Sequence, residues 1–300
     1  MGISVYKIKK WAKMLAGNSV YHVNQGEGQI YSNAEIKGYY NDLTEKITRF
    51  GASDNEVPKT FVDTGEEIYF SIAIFQYGLA AYDLYLLNND RGMLEKTIAC
   101  ADWAVENQEK NGGWITFAFE NADAPYSSMA QGEAISLLIR AHIETQKDEY
   151  LNAARKAKEF MLTSIADGGT TNYADGAVAF YEYTADDLIL NGWIFSLWGL
   201  YDYCRYLQDA DAQKILDDSL ASLRKKLPEF DNGYWSKYDN KKRICSLFYH
   251  KLHIAQLRAM YRLFGDDVYR EYADKWEAYA KSWFKPKRAF FKKAWQKIVE

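Results

Sequence analysis

Cysteine and proline are scarce in this chain, with three Cys and four Pro among 300 residues. Cys100, Cys204 and Cys245 are odd in number and far apart, so neither a CxxC pair nor a Cys/His spacing indicates a zinc site or a disulfide framework. We therefore expect three buried free thiols in a reducing compartment.

The sequence also lacks the short motifs of nucleotide, metal and serine-hydrolase chemistry. It has no P-loop, dinucleotide fingerprint, HExxH helix or GxSxG elbow. The chain also has no excess of positive charge, because 37 Lys and Arg against 41 Asp and Glu give a net charge of −4. This balance excludes the general signature of a nucleic-acid-binding protein. No metal site and no cofactor are expected.

Long apolar runs are absent, which excludes a membrane span, and the N-terminus lacks the apolar core of a signal peptide. We expect a cytoplasmic protein. Both ends are nevertheless basic and aromatic: residues 281–300 carry +6, which leaves about −10 on the remainder, and Lys7, Lys9, Trp11 and Lys13 lie near the start. These ends either contact an anionic surface at the inner membrane face or form solvated helices that pack their rings on the domain. We favour the second interpretation, and we leave a homodimer open.

Aromatic residues are abundant, at 16% of the chain with 24 Tyr and 9 Trp, which suits either a core or a cleft where sugar rings stack. Helical periodicity dominates from residue 66 onward. An apolar helix is followed by an amphipathic partner four times, at a period of about 60 residues. The apolar helices are expected at 66–90, 126–146, 187–207 and 249–265.

This repetition predicts an all-α fold, an α/α toroid of at least four helical hairpins with the apolar helices in an inner ring. We assign residues 66–284 to the toroid, 1–65 to an N-terminal helical segment and 285–300 to a basic amphipathic tail. Helices are expected at 4–15 and 33–49, the second with Asn33 as its N-cap.

Long loops at one face of such a ring converge on its centre, and the candidates here are 111–126, 167–187 and 231–248. The second loop holds Glu182 between two tyrosines, where an aromatic wall would raise its pKa enough for acid–base chemistry. His250 and His253 are spaced for a metal, but no carboxylate accompanies them, so we favour a structural role for His253.

Several of these segments resemble the C-terminal catalytic region of D-glucuronyl C5-epimerases, which invert C5 of glucuronate in heparan-type chains. The segments are PYSSMAQGEAISLLIRA (125–141), LNGWIFSLWGLYDY (190–203) and YHKLHIAQL (249–257), with flanking similarity at 69–79 and 101–114. The resemblance covers about residues 69–283 and implies an α/α barrel, in agreement with the helical period.

The resemblance also implies the site. The family uses a glutamate beside tyrosines before LNG, the tyrosine of a Tyr-Asp-x-Arg motif, and a tyrosine that precedes a helix-opening His. These catalytic roles fall on Glu182, Tyr183 (or Tyr181), Tyr238 and Tyr249. Other residues of the same loops and helix starts are predicted to bind substrate: Tyr126, Tyr181, Lys241, Arg243, His250 and Trp114.

Two departures from the family pattern affect the expected substrate. A β-rich domain that the family carries between QYGL and DWAVENQ is replaced here by about 20 residues, and Lys241 stands at the arginine of Tyr-Asp-x-Arg, where Lys242 or Arg243 would have to substitute. We expect an epimerase acting on a uronate-containing polysaccharide or oligosaccharide, of a kind suited to capsule assembly. The alternatives are a β-eliminating polysaccharide lyase and a non-catalytic sugar-binding protein.

Overall fold

A computed structural model describes residues 23–49, 51, 53, 57–61 and 65–299. The predicted helix at 4–15 and the basic residues Lys7 to Lys13 lie outside the described residues. After a short helix α1 (Glu45–Thr48), the chain forms four helical hairpins, followed by α10 (Lys285–Val299). The hairpins are α2–α3 (Ser71–Asn88, Arg91–Glu106), α4–α5 (Ser128–Thr145, Asp148–Leu162), α6–α7 (Leu190–Leu207, Ala210–Lys226) and α8–α9 (Leu247–Phe264, Asp267–Lys281).

The first helix of each hairpin is the inner one. Helices α2, α4, α6 and α8 are buried around most of their circumference and pack neighbour to neighbour in chain order, whereas α5, α7 and α9 bury one face only. The prediction of an all-α, α/α toroid is confirmed. Two short antiparallel hairpins accompany the helices: β1 (Thr60–Phe61) with β2 (Glu67–Ile68), and β3 (Thr171–Asn172) with β4 (Ala179–Phe180).

The link from inner to outer helix is built the same way in three of the hairpins. The inner helix ends at a residue with left-handed φ, and the next residue is an aspartate whose carboxylate accepts a backbone N–H in the first turn of the outer helix. The pairs are Asn89–Asp90, Gln208–Asp209 and Gly265–Asp266. Because α2 and α3 are joined by two residues, no domain is inserted there.

Two glycines set the distance between inner helices α4 and α6. A Cβ atom on Gly199 would lie 2.1 Å from the carbonyl oxygen of Gly132, and one on Gly132 would lie 2.6 Å from the Cα of Ser196. Neither space accommodates a methyl group, so glycine is required at both positions for this backbone contact.

The prediction of a helix over 33–49 is wrong for residues 33–44, because only α1 is helical in this segment. Asn33 caps no helix; its Nδ2 donates to the carbonyl oxygen of Arg262 at 2.7 Å. Arg140 donates to the carbonyl oxygens of Lys37 and Gly38. The backbone groups that an isolated helix would pair internally are thus taken up by side chains of the inner helices.

A buried ion pair joins α4 and α6 beneath this N-terminal segment. Arg140 Nη1 lies 2.6 Å from Asp202 Oδ2, and both side chains are fully buried. Ser136 Oγ and the Tyr40 hydroxyl also donate to the Asp202 carboxylate, at 2.7 and 2.5 Å. The pair is therefore fully hydrogen-bonded, as a buried charge requires.

All three cysteines are free and buried, as expected. Within the described part of the chain, no helix is both long and apolar enough to cross a membrane.

Candidate active site

Two loops meet at the N-terminus of α6 through their backbones. The amide of Leu190 donates to the carbonyl oxygen of Tyr238 at 3.3 Å, and the amide of Asn240 donates to that of Leu188 at 3.1 Å. This short ladder fixes the loop before α6 against the loop before α8. It explains how residues about 60 positions apart in the sequence reach one site.

Glu182 follows strand β4, and both backbone groups of the preceding Tyr181 are paired. The Tyr181 amide donates to Thr170 O and its carbonyl oxygen accepts from the amide of Ser128, each at 3.0 Å. The Glu182 side chain then lies across the start of α6, where Asn191 Nδ2 donates to its Oε2 at 3.3 Å. A Cβ on Gly192 would lie 2.5 Å from the same oxygen, so the glycine of LNG makes room for the carboxyl group.

Burial gives this carboxyl group an unusual proton affinity. Glu182 is only 7% exposed, and desolvation raises its pKa from 4.5 to about 8, with Glu120 and Asp186 adding to the rise. The positive charge of Arg243 and the hydrogen bond from Asn191 oppose it. The aromatic setting predicted this direction, and at neutral pH the group is mainly protonated.

Tyr238 interacts electrostatically with this carboxyl group and with two more of the predicted tyrosines, Tyr249 and Tyr183. Tyr238 and Tyr249 pack edge to face with ring centroids 4.9 Å apart, and Tyr183 stacks on Phe117 at 4.0 Å. Burial raises the pKa of Tyr238 well above its ordinary value, and the charges of Glu182, Tyr249 and Tyr183 act on it in the same direction. The structure thus brings together Glu182 and these three tyrosines.

Arg243 is a positive charge that acts on the Glu182 carboxyl group. Its guanidinium lies 5.5 Å from the centroid of the Tyr238 ring, and its Nη2 lies 2.7 Å from Asp186 Oδ2. Its Nε also pairs with Asp239, whose Oδ1 accepts the backbone N–H groups of residues 241–243. Lys241 extends outward, with a 68% exposed side chain paired to Asp187 at 2.5 Å. Of the cations considered to replace the family arginine, Arg243 therefore lies against the ring of Tyr238.

Three other predicted substrate-binding residues make contacts in the loops or in the core. The ring of Tyr126 packs on Phe160 of α5 at 4.7 Å, and the Tyr181 hydroxyl accepts from Asn172 at 3.4 Å. Trp114 is 1% exposed and donates its indole N–H to Ala104 O at 2.8 Å. Its side chain is thus occupied in the core.

The His250 side chain is buried, and both of its ring nitrogens have hydrogen-bond partners in the protein. Its Nε2 is 2.9 Å from the carbonyl oxygen of Trp276. Because a carbonyl oxygen can only accept a hydrogen bond, Nε2 carries the proton, and Nδ1 accepts from Ser236 Oγ at 2.7 Å. Its ring stacks on Trp235 at 3.6 Å. Burial lowers the pKa values of His250 and His253 to about 4 and about 3. These contacts support a structural role, in which His250 fixes the start of α8 beside Tyr249.

One buried acid near this site was not anticipated from the sequence. Glu133 on α4 is fully buried, its Oε1 accepts from Gln76 at 2.7 Å, and its Oε2 has no hydrogen-bond partner among the described residues. Burial raises its pKa well above the ordinary value, and the charge of Glu182 contributes. Lys46, whose pKa burial lowers to about 8, interacts with the same carboxyl group. The signal in the sequence was an acid inside the apolar run QGEAISLL.

The fold places the chain among α/α toroid proteins. Residues 108–278 match the family model described as D-glucuronyl C5-epimerase C-terminus. Because that match spans more than half of the chain, the chain belongs to this family, as the resemblance of its motifs indicated.

Two curated proteins and one solved structure illustrate these similarities. A D-glucuronyl C5-epimerase of Caenorhabditis elegans is 30% identical over 61% of this chain and 34% of its own length. An uncharacterized protein of Methanocaldococcus jannaschii is 28% identical over 57% of this chain and 60% of its own length. The chain thus spans about a third and three fifths of these relatives. An unsaturated glucuronyl hydrolase from Bacillus sp. aligns with a TM-score of 0.47 at 13% identity, over 94% of this chain and 82% of its own.

Proposed function

We propose that this chain is an epimerase that inverts C5 of a glucuronosyl residue in a polysaccharide or oligosaccharide. The observation that carries the proposal is that a buried, protonated carboxyl group, a pair of tyrosines and an arginine lie together at one set of loops. Membership of the C5-epimerase family and the name of the C. elegans relative support the same reaction.

The residue types suit the chemistry. The C5 hydrogen of a uronate is a very weak acid, so its removal needs a base on one face, neutralisation of the adjacent carboxylate and a proton donor on the other face. With a pKa of about 8, Glu182 is ionised in a minor fraction of the molecules at neutral pH, and this carboxylate form is the base that takes the C5 proton. Tyr238 retains its proton under the same conditions and suits the donor role, with Tyr249 beside it. Proton transfer of this kind needs no cofactor.

Arg243 is the group that we assign to the substrate carboxylate. A guanidinium binds a carboxylate through two parallel N–H bonds, whereas a lysine offers a single point charge. We expect Arg243→Lys to weaken binding of a glucuronate oligosaccharide by about tenfold or more, measured by calorimetric titration. Lys241→Arg is the matched control, because its side chain is 68% exposed, and equal losses in both variants would contradict the assignment.

Proton exchange at C5 tests the reaction directly. Glucuronate-containing polymers are incubated with the protein in D₂O and analysed by NMR. We expect deuterium at C5 together with the inverted sugar, and loss of both by a factor of about 100 or more in Glu182→Gln. Glu106→Gln, an exposed acid at the end of α3, is the control.

The other outcomes discriminate among reactions. Epimerisation and β-elimination begin with the same proton abstraction. An unsaturated product that absorbs in the ultraviolet would therefore indicate that the protein is a lyase rather than an epimerase. Absence of exchange on every uronate polymer, or full activity in Glu182→Gln, would overturn the proposal.

A further inference from the structure

Helix α10 presents a face of large aromatic side chains to solvent. Phe291 and Trp295 are 72% and 62% exposed, and their spacing of four residues places them on one side of α10. Phe284, which is 62% exposed, immediately precedes the first residue of the helix. Trp283, which also precedes the helix, is 80% exposed. Phe290 is 45% exposed, and its ring centroid lies 5.7 Å from that of Phe291. A contiguous apolar patch of this kind marks an interaction surface rather than scattered surface residues.

The opposite face of α10 is attached to the candidate site. Ala289 and Lys293 are buried against the domain. The carboxamide of Gln296 accepts from the amide of Ile244 at 3.1 Å and donates to the carbonyl oxygen of Lys242 at 2.7 Å. Since these two residues flank Arg243, the helix is fixed in register with the loop that carries Arg243. The aromatic face therefore points outward from an anchored helix, and the favoured expectation that the C-terminal rings pack on the domain is wrong.

The same helix carries a strong excess of positive charge. Six Lys and Arg and no acid occur between residues 285 and 299, although the chain as a whole carries −4. The cations interleave with the rings: Lys287 Nζ lies 3.9 Å from the centroid of the Trp283 ring. Alternation of exposed rings and lysines along one helix face is the pattern of helices that lie in the plane of an anionic lipid surface.

We propose that α10 docks the protein onto an anionic lipid surface, with the rings of Phe284, Phe291 and Trp295 inserted at the headgroup boundary and the lysines paired with lipid phosphates. A second copy of the chain suits this face poorly, because a two-fold interface through α10 would bring two sets of six cations together. A uronate polymer would also pair with the lysines and stack its sugar rings on the aromatic side chains, so its binding is measured as a separate outcome.

Vesicle binding by the full chain tests this docking surface. The protein is sedimented with phosphatidylcholine vesicles that contain or lack phosphatidylglycerol, and we expect binding only when the anionic lipid is present. Because each lysine near an anionic surface contributes about fivefold to partitioning, Lys287→Glu with Lys292→Glu should reduce it by about 100-fold or more. Phe291→Ser with Trp295→Ser should reduce it by about tenfold or more.

Matched substitutions away from α10 provide the control. Leu87→Ser removes an exposed apolar side chain on α2, and Lys225→Glu reverses an exposed charge on α7; both should bind vesicles as the unmodified chain does. Circular dichroism verifies that each variant is folded. None of these readouts depends on catalysis.

Three results would overturn the proposal. The first is the absence of vesicle binding, and the second is equal binding by the α10 variants and the controls. The third is that the protein binds a uronate polymer, or associates with itself, but does not bind lipid, and that the α10 variants lose this binding or self-association.

Discussion

Replacement of Glu182 by glutamine should change how the stability of the protein depends on pH. The folded state raises the pKa of this carboxyl group from 4.5 to about 8, mainly by burial. Below pH 4.5 both states hold the proton, so this group imposes no cost. Between pH 4.5 and 8 the unfolded chain releases the proton while the folded chain keeps it, so the stability that the group contributes is lost as pH rises.

The magnitude follows from these two values. Each pH unit in this interval lowers the free energy of unfolding by up to about 1.4 kcal/mol. Between pH 5 and pH 7 the loss that Glu182 causes is about 2.5 kcal/mol. The variant Glu182→Gln keeps the shape of the side chain and can still accept from Asn191, but it has no proton to release.

Urea denaturation at pH 5, 6 and 7 measures the effect. The free energy of unfolding of Glu182→Gln minus that of the unmodified protein should grow by about 2.5 kcal/mol across this range. Other groups that titrate in the interval, such as Asp83, whose pKa burial raises to about 7, are present in both proteins and cancel. Glu106→Gln, at an exposed position, should show no such growth. Parallel curves for Glu182→Gln and the unmodified protein would refute the buried, protonated state of Glu182.

Two further substitutions test the packing. Gly199→Ala should lower the free energy of unfolding by about 3 kcal/mol or more, because its Cβ would lie 2.1 Å from the carbonyl oxygen of Gly132 and the two inner helices must separate. Urea denaturation measures this loss, and an unchanged midpoint would contradict the close contact. Asp202→Ala should cost about 3–5 kcal/mol because it leaves the Arg140 guanidinium buried without a counter-ion, whereas Asp218→Ala, at an exposed pair, should cost less than about 1 kcal/mol. Similar losses in the two aspartate variants, measured by thermal unfolding, would contradict the inference.

The helical hairpins could be predicted from the sequence because their signals are local. Apolar and amphipathic helices alternate at a fixed period, and the inner helix expected at 187–207 is observed at Leu190–Leu207. The segment at 33–49 could not be predicted in this way. Its local pattern favours a helix, but side chains of Arg140 and of other inner-helix residues provide its backbone with partners that no local pattern reveals.

The candidate site could likewise be predicted from the sequence only in part. The motif LNG and the aromatic neighbours of Glu182 indicated a carboxyl group of raised pKa, and that direction is a consequence of burial among rings. Which cation lies beside the tyrosines was undecided among Lys241, Lys242 and Arg243. Glu133 was overlooked because a single acid in an apolar run carries no partner in the sequence.

The sequence by itself determined the class of fold, the repeat of helical hairpins and the family, since each of these depends on periodicity and ordered motifs within single segments. Only the tertiary structure decided which side chains meet. Backbone pairing between the loops before α6 and α8 sets Glu182 beside Tyr238 and turns Arg243, rather than Lys241, toward the rings. The physical reason is that proximity and burial depend on contacts between residues distant in the chain, and these contacts fix proton affinity and charge pairing.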